Sequence, residues 1–135
     1  MAINSNLGGA LLHFTFSEGD EVISSFRINP GDIKLVHRFQ VASEFFNNIE
    51  MPENATFEDI VQLNDNVERK ICEVLGYDAK ESLFGRISAT TVLPDGNLFV
   101  SLVLDKIAEH AVPEIQKRNR AMVGAMEKHT AKYAK

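Results

Sequence analysis

The 135 residues make one domain's worth of chain, enough to bury a single core without help from a metal or a disulfide. With 44% hydrophobic and 24% charged residues the composition is that of an ordinary globular protein, and no apolar run approaches the roughly 18 residues that a bilayer span requires. The net charge of −5 is uneven: residues 113–135 hold six basic and two acidic residues, a net of +4, while residues 1–112 hold 8 and 17, a net of −9. An acidic body with a basic tail points to a protein interaction segment, and away from nucleic acid, whose phosphates the body would repel at range.

The opening residues, Met1 to Gly9, lack the basic and long apolar regions of a signal peptide. A lone cysteine, Cys72, has no partner for an internal disulfide and fits a reducing compartment, so a cytoplasmic location without membrane contact is expected. Asn54-Ala55-Thr56 matches a glycosylation sequon, but so short a pattern arises by chance.

Residues 10–28 predict a β-hairpin. Leu12, Phe14 and Phe16 alternate with His13 and Thr15, Ser17-Glu18-Gly19-Asp20 supplies a turn, and Val22, Ser24, Phe26 and Ile28 form the inner face of the return strand. Asn29-Pro30-Gly31-Asp32 reads as a helix start, with Asn29 as cap, Pro30 at the first helical position and Asp32 at the positive end of the dipole. That helix is expected to reach about Ile49, burying Leu35, Phe39, Ala42, Phe46 and Ile49, before Met51-Pro52-Glu53-Asn54 ends it.

Thr56 and Asp59 predict a capping box for the next helix, whose stripe is Phe57, Ile60, Leu63, Val67, Ile71, Val74 and Leu75, with Gly76 as its stop. Asp78-Ala79-Lys80-Glu81 repeats the start signal for a short helix ending at Phe84-Gly85. Residues 87–93 are β-prone and Pro94-Asp95-Gly96-Asn97 is a turn signal. Residues 87–103 fit either a second hairpin or a loop followed by a helix capped by Asn97; the apolar spacing to Ala111 favours the helix. Pro113 then predicts a kink or break, since it lacks a donor and crowds the carbonyl of Glu109. The whole is an α+β fold, mostly α: an N-terminal β-hairpin packed on a small helical bundle, with a long kinked C-terminal helix. Residues 1–112 form the globular body and residues 113–135 a basic helical arm of the same domain.

No constellation for catalysis or for a cofactor stands out. His13, His37, His110 and His129 fall on four separate predicted elements, without the paired spacing of a zinc site. Cys72, flanked by apolar positions, reads as a small core residue with no base or oxyanion donors to assign to it, and a small enzyme or ligand-binding domain using His37, Cys72 or His110 is the least favoured alternative. The acidic pairs lie at turns and helix starts, where capping explains them. The arm is different. Ile115, Met122, Met126, His129 and Tyr133 share one stripe opposite a face of Lys, Arg, Asn and Glu. A Met- and Ala-rich helix with few large aliphatics buries itself poorly and gains most by packing on another chain. Ile115, Arg118, Met122, Met126, His129 and Tyr133 are therefore the candidate partner-binding residues. A plain solvated face is the competing reading of the basic side.

The order of these features resembles the small tail assembly chaperones of long-tailed bacteriophages and prophages of Gram-positive hosts. The likeness runs over roughly residues 10–133. It is carried by the hairpin, Asn29-Pro30-Gly31-Asp32 with downstream Arg38-Phe39, Ile71-Cys72-Glu73-Val74-Leu75-Gly76, Leu83-Phe84-Gly85, Phe99 to Ile107, Pro113-Glu114-Ile115-Gln116-Lys117-Arg118 and the tail His129-Thr130-Ala131-Lys132-Tyr133. Residues 86–97 have no counterpart in the pattern. The resemblance implies a non-enzymatic protein that coats the tape-measure protein before the tail tube polymerises, recruits tube subunits, and is displaced as the tube grows. Self-association is compatible with that role. The alternative is a structural virion component, such as a minor tail or head–tail connector protein.

Overall fold

The computed structural model describes residues 2–133, with side chains described through residue 128. Its architecture is α+β: an N-terminal antiparallel hairpin lies against helices that make up most of the chain. Strand β1 (Leu12–Glu18) returns through Gly19-Asp20 into β2 (Glu21–Ile28). Phe14 and Phe26 are cross-strand partners with rings stacked at 4.6 Å, and Ser24, Phe26 and Ile28 are buried. The expected alternation fails at Val22, which is 52% exposed. Phe16 faces Ser24 but Ser17 faces Val22, so Ile23 is the extra residue of a bulge that rotates the end of β2 outward. Ser24, a buried hydroxyl, donates to the Leu83 carbonyl at 2.7 Å.

Helix α1 (Ile33–Asn47) begins one turn later than the sequence reading placed it. Asn29 is not the cap. Its side chain accepts from the Gly31 N–H, closing a turn, and Asp32 takes the cap by accepting from the Lys34 N–H at 2.9 Å. The local turn of an Asx side chain competes with helix capping here and wins. Pro30 is consequently a buried wedge ahead of the helix rather than its first residue. The helix also ends before Ile49, which is exposed.

Helix α2 (Phe57–Leu75) has the capping box in full, with Thr56 and Asp59 each bonding the other's backbone N–H. It ends at Gly76 with φ at 81°, a left-handed conformation that suits glycine. Arg38 adds a second constraint, since a side chain at this position would have to displace its guanidinium. Its Nε donates to the Val74 carbonyl at 2.9 Å, and a Cβ on Gly76 would lie 2.8 Å from its guanidinium.

Arg38 meets the end of α2, and Lys70 lies 5.4 Å over the Phe45 ring, so α1 and α2 run antiparallel. In that register α1 stops opposite the middle of α2. The N-terminal turns of α2 overhang it, leaving Phe57 83% exposed and Ile60 and Val61 also exposed, against the expectation of one continuous buried stripe.

Helix α3 (Lys80–Phe84) packs along β2. Residues 87–98 combine features of both expected outcomes: a single antiparallel bridge, Val92 to Leu98, closes the turn at Pro94–Asn97, and helix α4 (Phe99–Lys106) follows at once. Asn97 is not the helix cap. Its backbone and side-chain N–H groups both donate to Asp95, which holds that carboxyl below its usual range.

Ahead of Pro113 the helix does not break. A π-helical turn (Ile107–Ala111) joins α4 to α5 (Val112–Tyr133), and the widened turn takes up the missing proline donor and the crowding of the preceding carbonyls. Phe99, Val103, Ile107 and Ala111 form the buried face of this run, and at its start Phe16 of the hairpin and Phe84 of α3 meet Phe99 edge-on. Burial of each large apolar side chain contributes about 1.5–3 kcal/mol.

Candidate functional site

The helical run starting at Phe99 enters as core and leaves as surface. Through α4 and the π turn its inner residues are fully buried. Over the first two turns of α5 only Glu114, Ile115, Arg118 and Asn119 remain half-buried, with Ile115 on the edge of the core. From Arg120 to Lys128 every residue is exposed, including Met122, Val123 and Met126 at 44%, 49% and 62%. Those nine residues extend about 13 Å along the helix axis at ~1.5 Å each.

The candidate partner-binding residues thus divide. Ile115 and Arg118 belong to the attachment of the arm: Arg118 donates through Nε to Glu114 at 2.9 Å and through Nη1 to the Ala10 carbonyl at 2.6 Å. Its stem lies on the Asn29–Asp32 turn, where a Cβ added to Gly31 would sit 3.3 Å from Arg118 Cδ. Met122 and Met126, one turn apart, continue the Ile115 stripe into solvent. His129 and Tyr133 lie outside the residues whose side chains are described.

Two features escaped the sequence reading. The first is the overhang of α2, where Phe57, Ile60 and Val61 stand exposed. The second is a buried carboxylate. Glu68, 4% exposed, accepts from Asn64 Nδ2 at 2.9 Å and from the Ala89 N–H at 3.1 Å, while Asn64 Oδ1 accepts from the Thr90 N–H and hydroxyl. This clamp ties residues 88–91 to α2. Its signal in the sequence is position alone: Glu68 sits within the arc set by Val67 and Ile71, one turn after Asn64.

The remaining polar chemistry is dispersed. Cys72 is half-buried on a groove with Asp65, Arg69, Tyr77 and Asp78. Burial first, then the carboxylates of Asp78 and Glu68, pushes its thiol above the ordinary value and so disfavours the thiolate. Among the described residues no group of His, Cys, Asp and Glu has the arrangement of a metal site. No helix among them is long and apolar enough to cross a membrane. Three concavities among the described residues, of about 510, 340 and 520 Å³, are open troughs. The chain matches no protein-family model, no curated protein and no solved structure.

Proposed function

We propose that this chain is a non-catalytic tail assembly chaperone of a long-tailed phage or prophage, acting in the host cytoplasm on the tape-measure protein and on tail tube subunits. The observation that carries the reading is the arm: a basic amphipathic helix whose Met122, Val123 and Met126 stand in solvent beyond an acidic body. Such a helix binds by laying its apolar stripe along another helix, with the Lys and Arg residues beside it pairing with acidic groups on the partner. Methionine adapts to varied partner surfaces, which suits repeated, exchangeable binding along a long helical protein. The site residues are then Met122 and Met126, with His129 and Tyr133 continuing their spacing in the sequence and Ile115 and Arg118 fixing the arm's direction.

The test is a chain ending at Asn119, which keeps Ile115 and Arg118 on the body. Calorimetric titration with tape-measure segments should show binding by the full chain, weakened by added salt, and none by the shortened one. Equal binding by the two removes the arm from the mechanism. A full chain found at stoichiometric level in finished particles overturns the chaperone role altogether.

A further inference from the structure

The two-stranded sheet has two edges, and they are treated differently. The outer edge of β2 is covered: the Arg27 N–H donates to the Tyr77 hydroxyl at 2.9 Å, Arg27 lies 3.9 Å over the Tyr77 ring, and α3 packs alongside. That hydrogen bond also fixes the phase of the ladder. Since the Arg27 N–H points away from β1, its partner His13 points its own N–H and C=O away from β2. By alternation Thr15 does the same. Among the described residues no hydrogen bond reaches the outward groups of either. Along this edge runs a trough of about 520 Å³, floored by Leu12, Phe14 and Phe16 and walled by Lys106, His110 and Glu114. A bare strand edge beside an apolar floor is a template for one more strand.

The chain also carries an unused strand. Residues 2–9 are exposed throughout, Ile3 at 91% and Leu7 at 77%, and none belongs to a helix or a strand. In extended form Ile3, Ser5 and Leu7 share one face and Asn4 and Asn6 the other, the alternation of a half-buried strand. Six residues span about 20 Å at ~3.3 Å each, enough to cover the edge from Leu11 to Thr15. The tightest fold-back onto the segment's own β1, a two-residue turn at Gly8-Gly9, is out of phase. It would pair Leu7 with Ala10 and place the bonding positions on Leu12 and Phe14, whose groups already serve β2. A three-residue turn at Gly8–Ala10 would be in phase, pairing Leu7 with Leu11 and reaching His13 and Thr15. Residues 2–7 nevertheless stand exposed with no strand pairing in the structure, and concentration dependence separates that fold-back from exchange between copies.

We infer that the free edge of β1 is a strand-addition site for residues 2–7 of a second copy of this chain. Ile3 and Leu7 of the incoming strand lie on the Leu12–Phe14–Phe16 floor, and its backbone bonds His13 and Thr15. Reciprocal exchange closes a dimer with the same contact made twice. This does not depend on what the arm binds.

Sedimentation of the full chain over a range of concentrations should show reversible association. Removing residues 2–7, or replacing Ile3 and Leu7 with Asn, should leave a folded monomer. Thr15→Pro should do the same, because the N–H it removes points away from β2. Amide exchange tests the contact without relying on any variant: raising the protein concentration should slow His13 and Thr15 by roughly tenfold or more while Phe14 stays unchanged. A chain that is monomeric at every concentration overturns the inference. So does association that survives loss of residues 2–7, or protection of His13 and Thr15 that is independent of concentration, which would mean that the segment folds back on its own strand.

Discussion

Arg118 donates to the carbonyl of Ala10 across 108 positions of sequence, and this contact joins the base of the arm to the start of the hairpin. The same guanidinium is braced by Glu114 and rests on the Asn29–Asp32 turn. An arm that merely continued α4 would be aimed by the π turn alone. Arg118 adds a second fixed point and so sets its direction. Arg118→Ala should lower stability by about 1–2 kcal/mol, the loss of two charge-assisted bonds at a site open enough to water to weaken both. Amide exchange at Ile115 to Asn119 should rise more than exchange in the core. Arg118→Lys keeps the charge but cannot hold both partners in plane, and should fall between. Denaturant titration with exchange by residue checks both.

Helix α2 gives the sharpest contrast between pattern and place. Phe57 and Ile71 belong to one apolar stripe in the sequence, yet Phe57 is 83% exposed and Ile71 is fully buried. Ile71→Ala should cost about 2–5 kcal/mol, whereas Phe57→Ser should change stability by less than about 0.5 kcal/mol. Chemical denaturation of the two variants tests the register of α1 on α2 directly. Equal losses would mean that Phe57 is covered.

What could be read from the sequence divides along the same line. The capping box at Thr56 and Asp59, the stop at Gly76 and the hairpin are local: each needs only residues a few positions apart, and each is present. The displaced cap at Asp32, the bulge at Ile23, the overhang of α2 and the π turn ahead of Pro113 depend on a choice between neighbouring alternatives, or on which element ends where. Periodicity marks Phe57 as apolar but carries no knowledge of where α1 stops. For the arm, composition marks an amphipathic helix. That Ile115 and Arg118 serve its attachment while Met122 and Met126 face solvent follows only from the fold.

Glu68 is the one buried acidic side chain among the described residues, and it holds Ala89 to α2 while Asn64, which it braces, holds Thr90. Glu68→Ala strands the Ala89 N–H and frees the Asn64 amide, so a loss of about 2–3 kcal/mol is expected. Glu68→Gln retains an acceptor oxygen in the same place and should cost about 1 kcal/mol or less. Glu68→Met fills the same space without an acceptor and, read by thermal melting, separates a hydrogen-bond clamp from a simple space-filling role: a clamp makes it about as costly as Glu68→Ala, space filling about as mild as Glu68→Gln.

Cys72 supplies a pH dependence whose sign is fixed. Its thiol titrates above the ordinary value of 9.0 in the folded chain, chiefly through burial. Between the unfolded and folded values the unfolded chain has released the proton and the folded chain has kept it, so stability falls as pH rises through that window. The contribution is complete below pH 9 and is lost above it. Cys72→Ala should flatten the fall in denaturation midpoint on going from about pH 8 to pH 10. Alkylation of the folded chain at neutral pH should be slower than that of the unfolded chain, in keeping with the scarcity of thiolate.

Gly124 lies in the middle of the exposed stretch of α5, with nothing near enough for an added Cβ to touch. A glycine in a helix interior costs about 0.8–1 kcal/mol relative to alanine, and here no packing offsets the loss. The nine exposed residues are therefore held helical mainly by continuity with the anchored turns. Gly124→Ala should raise helix content in circular dichroism and protect amides from Ala125 onward, with little change in the melting of the core. If the arm binds its partner as a helix, that ordering is already in place before binding, and affinity should rise by up to about fivefold, the equivalent of 1 kcal/mol. Gly124→Pro should lower helix content and affinity together. A tighter complex with Gly124→Pro would mean that the arm unwinds on its partner, and that Met122 and Met126 do not act as a helical stripe.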